Sequence, residues 1–310
     1  HSINLVANGF ISILNKGDEI IVSNLEHHSN IVPWQMLCEK TGAIMKVIPM
    51  NQDGELVLSE YEKLLSDKTK VVFVNHVSNA LGTINPVKDI INKAHKFGAA
   101  VLIDGAQALP HFKVDVLDLD TDFYVASAHK LYGPTGVGIL YGKETWLNKL
   151  PPYQGGGEMI DEVTFDKTTY AKLPNKFEAG TPNIAGVIAS GTALDYINKI
   201  GLDSIANYES ELLDYATKRL MEIEGVKIYG DNNSKTSVIS FNLKDLHHYD
   251  IGSIIDNEGI AVRTGHHCAQ PIMDYYNISG TIRISLSFYN TKQEIDSLVD
   301  AIIQAKKMLT

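Results

Sequence analysis

Cysteine is nearly absent from this 310-residue chain: only Cys38 and Cys268 occur. Two thiols cannot build a disulfide framework, so a small stapled scaffold is excluded and a reducing, cytoplasmic compartment is expected. Long apolar runs are also missing, and none approaches the roughly 18–20 residues needed to cross a bilayer. The first residues, "HSINLVANGF", carry no basic segment of the signal-peptide kind. Positive charge is in deficit, with 27 Lys and Arg against 37 Asp and Glu and a formal net charge of -10. Such a surface repels phosphate backbones, so nucleic acid is not an expected partner. No repeat, low-complexity tract or flexible linker interrupts the chain.

What is present is alternation. The runs Glu19–Ser23, Ile44–Ile48, Lys70–Asn75, Ala100–Asp104, Asp122–Ser127 and Val137–Gly142 read as strands, with helical stretches at Ile31–Thr41, Ser59–Leu65 and Val87–Phe97 between them. This predicts an α/β fold with a mainly parallel central sheet covered by helices. From about Asp195 the texture changes. A long helix over Leu202–Ile223, strand-like runs at Ser237–Leu243, Gly259–Gly265 and Thr281–Ser287, and helices near Ile251–Glu258 and from Lys292 predict a smaller α+β domain. The expected division is 1–195 and 196–310. The segment Gly155–Asn183 has little helix signal and is expected to cover the site or pack on a partner chain.

Ligands of parallel sheets sit beyond the carboxyl ends of the strands. There the chain places "NLEHHSN", "HVSNALG", "DGAQA" and "SAHK", four strand ends with chemically capable groups. Lys130 closes the last of these, between a histidine and a Gly/Pro turn. It is either a sheet-edge charge or a reactive amine able to form a Schiff base with an aldehyde. Asp104 ends the preceding strand. A carboxylate there can keep a pyridine nitrogen protonated, which is what pyridoxal phosphate chemistry requires. Gln107 can bond the phenolic oxygen of such a ring, Ser127 and His129 can bind its phosphate, and His27 can lie over its face. The three His-His pairs do not predict a metal site, because adjacent histidines on a strand point to opposite faces.

The stretch "LIDGAQALPHFKVDVLDLDTDFYVASAHKLYGPTGVGILYG" resembles the core of fold-type I pyridoxal phosphate enzymes of the class V aminotransferase group. More narrowly, "LEHHSNIVPWQ", "HVSNALGTINPV", "FEAGTPN" and "AVRTGHHCAQP" are similar to the SufS/CsdA-type (group II) cysteine desulfurases, relatives of the selenocysteine lyases. The similarity runs along essentially the whole chain. It implies pyridoxal 5'-phosphate bound covalently by Lys130, with Asp104 on the pyridinium, Gln107 on the phenolic oxygen and His27 stacked on the ring. It further implies phosphate contacts from Ser127 and His129, and from Thr181 into a neighbouring subunit of a homodimer. Asn79 would touch cofactor or substrate, while Arg283 with Arg263 beside it would hold the substrate carboxylate. Cys268 would take sulfur from L-cysteine as a persulfide, releasing L-alanine. A SufE- or SufU-like acceptor would then carry the sulfur to iron–sulfur assembly. Cys38 keeps a packing role.

In the family a threonine pair that grips the cofactor phosphate stands just before the stretch matching "INLVA". This sequence starts with His1 and Ser2 there and lacks the preceding segment of roughly 90 residues. The sequence is then a truncated chain, one whose preceding residues are not included, or a degraded family member, and weakened cofactor affinity is expected. Three alternatives stay open from sequence: a selenocysteine lyase, another class V activity such as an aminotransferase, or an inactive truncated member that only dimerises or binds a partner.

Overall fold

The computed structural model describes residues 1–310. Helix α1 (Ser2–Phe10) leads into six strands interleaved with helices: β1 (Glu19–Ser23), α2 (Val32–Thr41), β2 (Ile44–Ile48), α3 (Leu58–Leu64), β3 (Thr69–Asn75), α4 (Val87–His95), β4 (Ala100–Asp104), the single turn α5 (Val116–Leu119), β5 (Phe123–Ser127) and β6 (Gly138–Gly142). They form one sheet in the order β2-β1-β3-β4-β5-β6. All pairs are parallel except β5–β6, which is antiparallel. The antiparallel edge follows from length: about ten residues join β5 to β6, too few for a crossover helix.

Burial on both faces explains the uninterrupted apolar runs. Along β3, Val72 and Val74 join one core while Val71 and Phe73 join the other. In β4, Val101 and Ile103 split from Ala100 and Leu102 in the same way. The period-2 alternation of a strand thus feeds two cores from one hydrophobic run. Chain order reverses between β1 and β3, since β2 lies on one side of β1 and β3 on the other. A crevice opens at such a switch point beyond the carboxyl ends of the strands.

The chain continues through the short helix α6 (Glu144–Leu147), the hairpin β7 (Ile160–Val163) and β8 (Thr168–Tyr170), and the long helices α7 (Ile184–Ile200) and α8 (Leu202–Met221). A second, antiparallel sheet in the order β11-β12-β10-β9 follows, from β9 (Val226–Tyr229), β10 (Val238–Leu243), β11 (Arg263–Gly265) and β12 (Thr281–Ser285). Helices α8, α9 (His248–Asn257) and α11 (Lys292–Leu309) cover it around a third core that includes Phe241, Ile251, Ile282 and Ile302. Helix α10 (Gln270–Tyr276) instead buries Ile272 and Met273 in a core of the large sheet. No helix is long and apolar enough to cross a membrane.

The architecture is the α/β one expected, with strand limits at or within a residue of expectation for the first six. The pattern gave no sign of β7, β8, β9 or α10, and two further elements differ from it. Gly259–Gly265 contains only the three-residue strand β11. Helix α7 carries apolar residues around much of its circumference, with Ile184, Val187 and Ile188 exposed, and so presents no amphipathic stripe to recognise.

Candidate active site

Four neighbouring strands, β1, β3, β4 and β5, end at one wall of a cavity of about 420 Å³. From the ends of these strands come His27, Asn79, Asp104, Gln107, Ser127, His129 and Lys130, while Arg263 and Arg283 enter from β11 and β12 of the second sheet. Nine of the eleven residues expected from sequence therefore line one cavity. Thr181 does not. It is exposed, just before α7, and the chain's own fold does not bring it to this site. Cys268 stands at the rim: Arg263, which lines the cavity, donates an Nη2–H to its Sγ at 3.4 Å.

Burial sets the protonation chemistry. Asp104 is 9% exposed, and its Oδ1 accepts the Ala106 N–H at 3.0 Å. Burial pushes its carboxyl above the usual range, with the Ala106 N–H and the Lys130 charge opposing. Burial likewise pulls the Lys130 ammonium down; Asp104 opposes this, and Arg283 and Arg263 add to it. A lysine that loses its proton easily is a competent nucleophile and base. His27 is lowered to about 4, chiefly by burial and then by the Lys130 charge, so it is neutral at pH 7. Its Nδ1 accepts the Ser29 N–H at 3.0 Å, which leaves the proton on Nε2 and fixes the ring at the start of a short helical turn.

Two chains of hydrogen bonds tie the second sheet to the first. Arg283 Nη1 donates to the Asn79 carbonyl at 2.9 Å, and Asn79 Nδ2 donates to the His267 carbonyl at 2.7 Å. The His28 N–H reaches the Cys268 carbonyl at 2.7 Å, and the Gln270 N–H reaches His28 Nε2 at 3.1 Å. His267 and Cys268 both hold positive φ, 54° and 56°. Side-chained residues visit that region rarely, and two in succession cost free energy that the surrounding bonds offset. The turn presents Sγ to the guanidinium.

Sequence reasoning missed Ser29 and Asn75 among the lining residues. Asn75 ends β3 as Asp104 ends β4, so the strand-end rule that selected Asp104 selects it too. The first turn of α1, with Ser2 and Asn4, also lines the cavity.

The chain matches the family described as Aminotransferase class-V over residues 1–298. It is 52% identical to the cysteine desulfurases of Cronobacter sakazakii (strain ATCC BAA-894) and Escherichia coli (strain SE11), over 99% of this chain and 76% of each relative. The chain belongs to the cysteine desulfurase branch of the class-V aminotransferase family. Two solved structures agree with this membership. The cysteine desulfurase CsdA of Escherichia coli superposes with a TM-score of 0.96 at 38% identity, covering 100% of this chain and 77% of that one. An apo cysteine desulfurase of Thermococcus onnurineus NA1 superposes at 0.95 and 39% identity, covering 99% of this chain and 77% of that one.

Pyridoxal 5'-phosphate is the cofactor of this desulfurase branch, and the donor set fits it. Two buried polar atoms of the lining residues, Asn79 Oδ1 and Arg283 Nε, have no protein partner. Groups of this kind call for a polar ligand. The cavity offers a buried carboxylate, an amine with lowered proton affinity, a neutral imidazole and the hydroxyl and imidazole of Ser127 and His129. That is the set a charged pyridine, an aldehyde and a phosphate need.

Close packing also bears on this desulfurase site. A Cβ on Gly105 would lie 1.9 Å from the Tyr124 ring. The ring is buried on β5 and cannot swing away. Gly105→Ala is expected to destabilise the protein by about 1–3 kcal/mol and to displace Asp104. The urea midpoint and cofactor affinity, measured together, check both.

Proposed function

We propose that the chain converts L-cysteine to L-alanine, with Lys130, Asp104 and Cys268 carrying the chemistry. The observation supporting this is one juxtaposition: a depressed-affinity lysine beside a buried carboxylate, with a guanidinium-bound thiol at the mouth of the same cavity. When bound, pyridoxal phosphate supplies an aldehyde for amine capture and a ring that takes up electrons from the substrate Cα.

Lys130 is the covalent anchor and then the acid and base that moves the substrate Cα proton. Asp104 would hold a proton at the ring nitrogen, and His27, neutral and fixed by Ser29, would hold the ring without adding charge. Gln107 would serve the phenolic oxygen, and Ser127 and His129 the phosphate. Arg283, lowered to about 10 mainly by burial and still a cation, receives the substrate carboxylate with Arg263. Arg263 also donates to Cys268 Sγ at 3.4 Å, which holds the sulfur at the mouth of the cavity. The thiolate attacks the substrate sulfur and the carbon–sulfur bond breaks. Its electron pair stays with the substrate Cβ, which takes a proton, and the sulfur remains as the Cys268 persulfide. Alanine leaves. A SufE- or SufU-like acceptor in the cytoplasm receives the sulfur for iron–sulfur clusters.

The same reading divides the chain at 195/196, which falls within α7. The separate core under the second sheet supports two domains. It also makes the active unit a homodimer. Val187 and Ile188 on α7 are 55% and 67% exposed, next to exposed Thr181, and Val163 and Phe165 project from the β7–β8 hairpin. Exposed apolar side chains of this size mark a partner face, and one on α7 would deliver Thr181 to the partner's phosphate site. Ile188→Asp is expected to shift sedimentation from dimer to monomer and to weaken cofactor binding. A monomeric parent protein with full cofactor occupancy would overturn this.

Alanine formation from L-cysteine tests the activity directly. In Asp104→Asn, cofactor still binds while alanine formation drops by roughly 10²–10⁴-fold, because an amide cannot keep the ring nitrogen protonated. Near-parental turnover in that variant would remove Asp104 from its role.

A further inference from the structure

Glu26 stands directly before His27, is fully buried, and has no part in the chemistry above. Its Oε2 accepts Asn30 Nδ2–H at 2.6 Å, and its Oε1 accepts the Asn75 N–H at 2.9 Å and meets the Ser23 hydroxyl. Asn30 cannot flip, because its Oδ1 accepts the Trp34 Nε1–H at 3.0 Å. Asn75 lies opposite Asp104 in the β3–β4 register and lines the cavity. Glu26 thus bonds to β1, to the turn after His27 and to the end of β3 at once.

No lysine, arginine or histidine pairs with this carboxyl; the charged group acting on it is Asp104. An anion buried without a cation is costly, and such a group takes up a proton instead. Burial pushes Glu26 up to about 8, and repulsion from Asp104 acts in the same direction. Of its three partners only the Ser23 hydroxyl can accept a proton, since the other two are N–H donors.

We propose that Glu26 is a positioning residue, a neutral carboxylic acid that ties the His27 turn to the end of β3 and leaves Asp104 as the sole anion at that edge of the cavity. The effect on cofactor binding rests on the reading above; the charge state of Glu26 does not. The titratable groups around it are Asp104 on β4 and His27, next in its own loop, and Lys130 acts on both of those.

Infrared spectra of the cofactor-free protein at pH 7 test the charge state. Protein carrying ¹³C-labelled glutamate should show a label-shifted carboxylic-acid band that is missing from Glu26→Gln. The label separates it from any band of Asp104. Absence of the band overturns the proposal whatever the enzyme's activity. Titration with pyridoxal phosphate tests the positioning. Glu26→Ala should bind it at least about tenfold more weakly. Glu26→Gln, which keeps two of the three hydrogen bonds and cannot ionise, should recover most of that loss. The pH midpoint of the bound cofactor's absorbance should stay within about one unit of the parent in Glu26→Gln. A larger displacement shows that a charge was removed, and parental affinity in Glu26→Ala shows that nothing was positioned. Either result overturns the proposal. If Glu26→Ala does not fold, the infrared band and the Gln variant decide.

Discussion

Lys130→Ala yields a folded protein that holds no covalently bound cofactor and turns over cysteine more slowly by roughly 10²–10⁴-fold or more. The fold should survive because Lys130 sits at the end of β5, and burial already disfavours its charged form. Truncating it removes an electrostatic cost rather than a contact. The chemistry should not survive. The Lys130 amine is the one in the cavity, and burial and the two arginines bias it toward the neutral, nucleophilic state. Asp104 opposes that bias by favouring the ammonium, the acid form of the same group. Borohydride reduction of the parent protein with its cofactor, followed by peptide mapping, should label the peptide containing Lys130. In Lys130→Ala no lysine should be labelled. Label on another lysine in the parent protein would remove Lys130 from the mechanism.

Cys268→Ala separates capture of the substrate from removal of its sulfur. Lys130, Asp104 and Arg283 are untouched, so cysteine should still perturb the absorbance of the bound cofactor. Alanine and sulfide formation should fall by more than about 10²-fold, because the sulfur has no acceptor. The Arg263–Sγ contact at 3.4 Å and the positive φ at Cys268 are the reasons to place the nucleophile here. Cys38 is the control. It packs beside the core near Trp34 and Leu37, and burial, with Glu39, pushes its thiol up and away from thiolate. Cys38→Ala should leave both steps intact and lose about 1 kcal/mol of stability. Mass spectrometry after brief exposure to cysteine should find the extra sulfur on the Cys268 peptide. Sulfur on Cys38, or a parental rate in Cys268→Ala, would mean that the sulfur leaves without a protein nucleophile. Comparing that variant on L-cysteine and L-selenocysteine then separates a desulfurase from a selenocysteine lyase, because selenium is the better leaving group.

The sequence by itself determined the strands of the large sheet, because a strand buried on both faces must be a short apolar run, and such runs are visible locally. It brought Lys130, Asp104, Gln107 and His27 to one cavity for a related reason: each ends or follows such a run, and parallel strands deliver their carboxyl ends to one edge. The rest needed the tertiary structure. Helix α7 was illegible because its exposed apolar face breaks the pattern of a surface helix. The antiparallel direction of β6 was settled by a connection too short for a crossover. Thr181 shares the motif logic of the other phosphate groups, yet it lies outside this chain's cavity, which no spacing rule could reveal. Glu26 looks in sequence like the exposed start of a polar turn. Only the convergence of β1, β3 and β4 buries it, removes its water and leaves Asp104 as its nearest charge. Local patterns decide which residues form an element, but a proton's position depends on burial and on neighbours far along the chain, and those exist only once the sheet has closed around them.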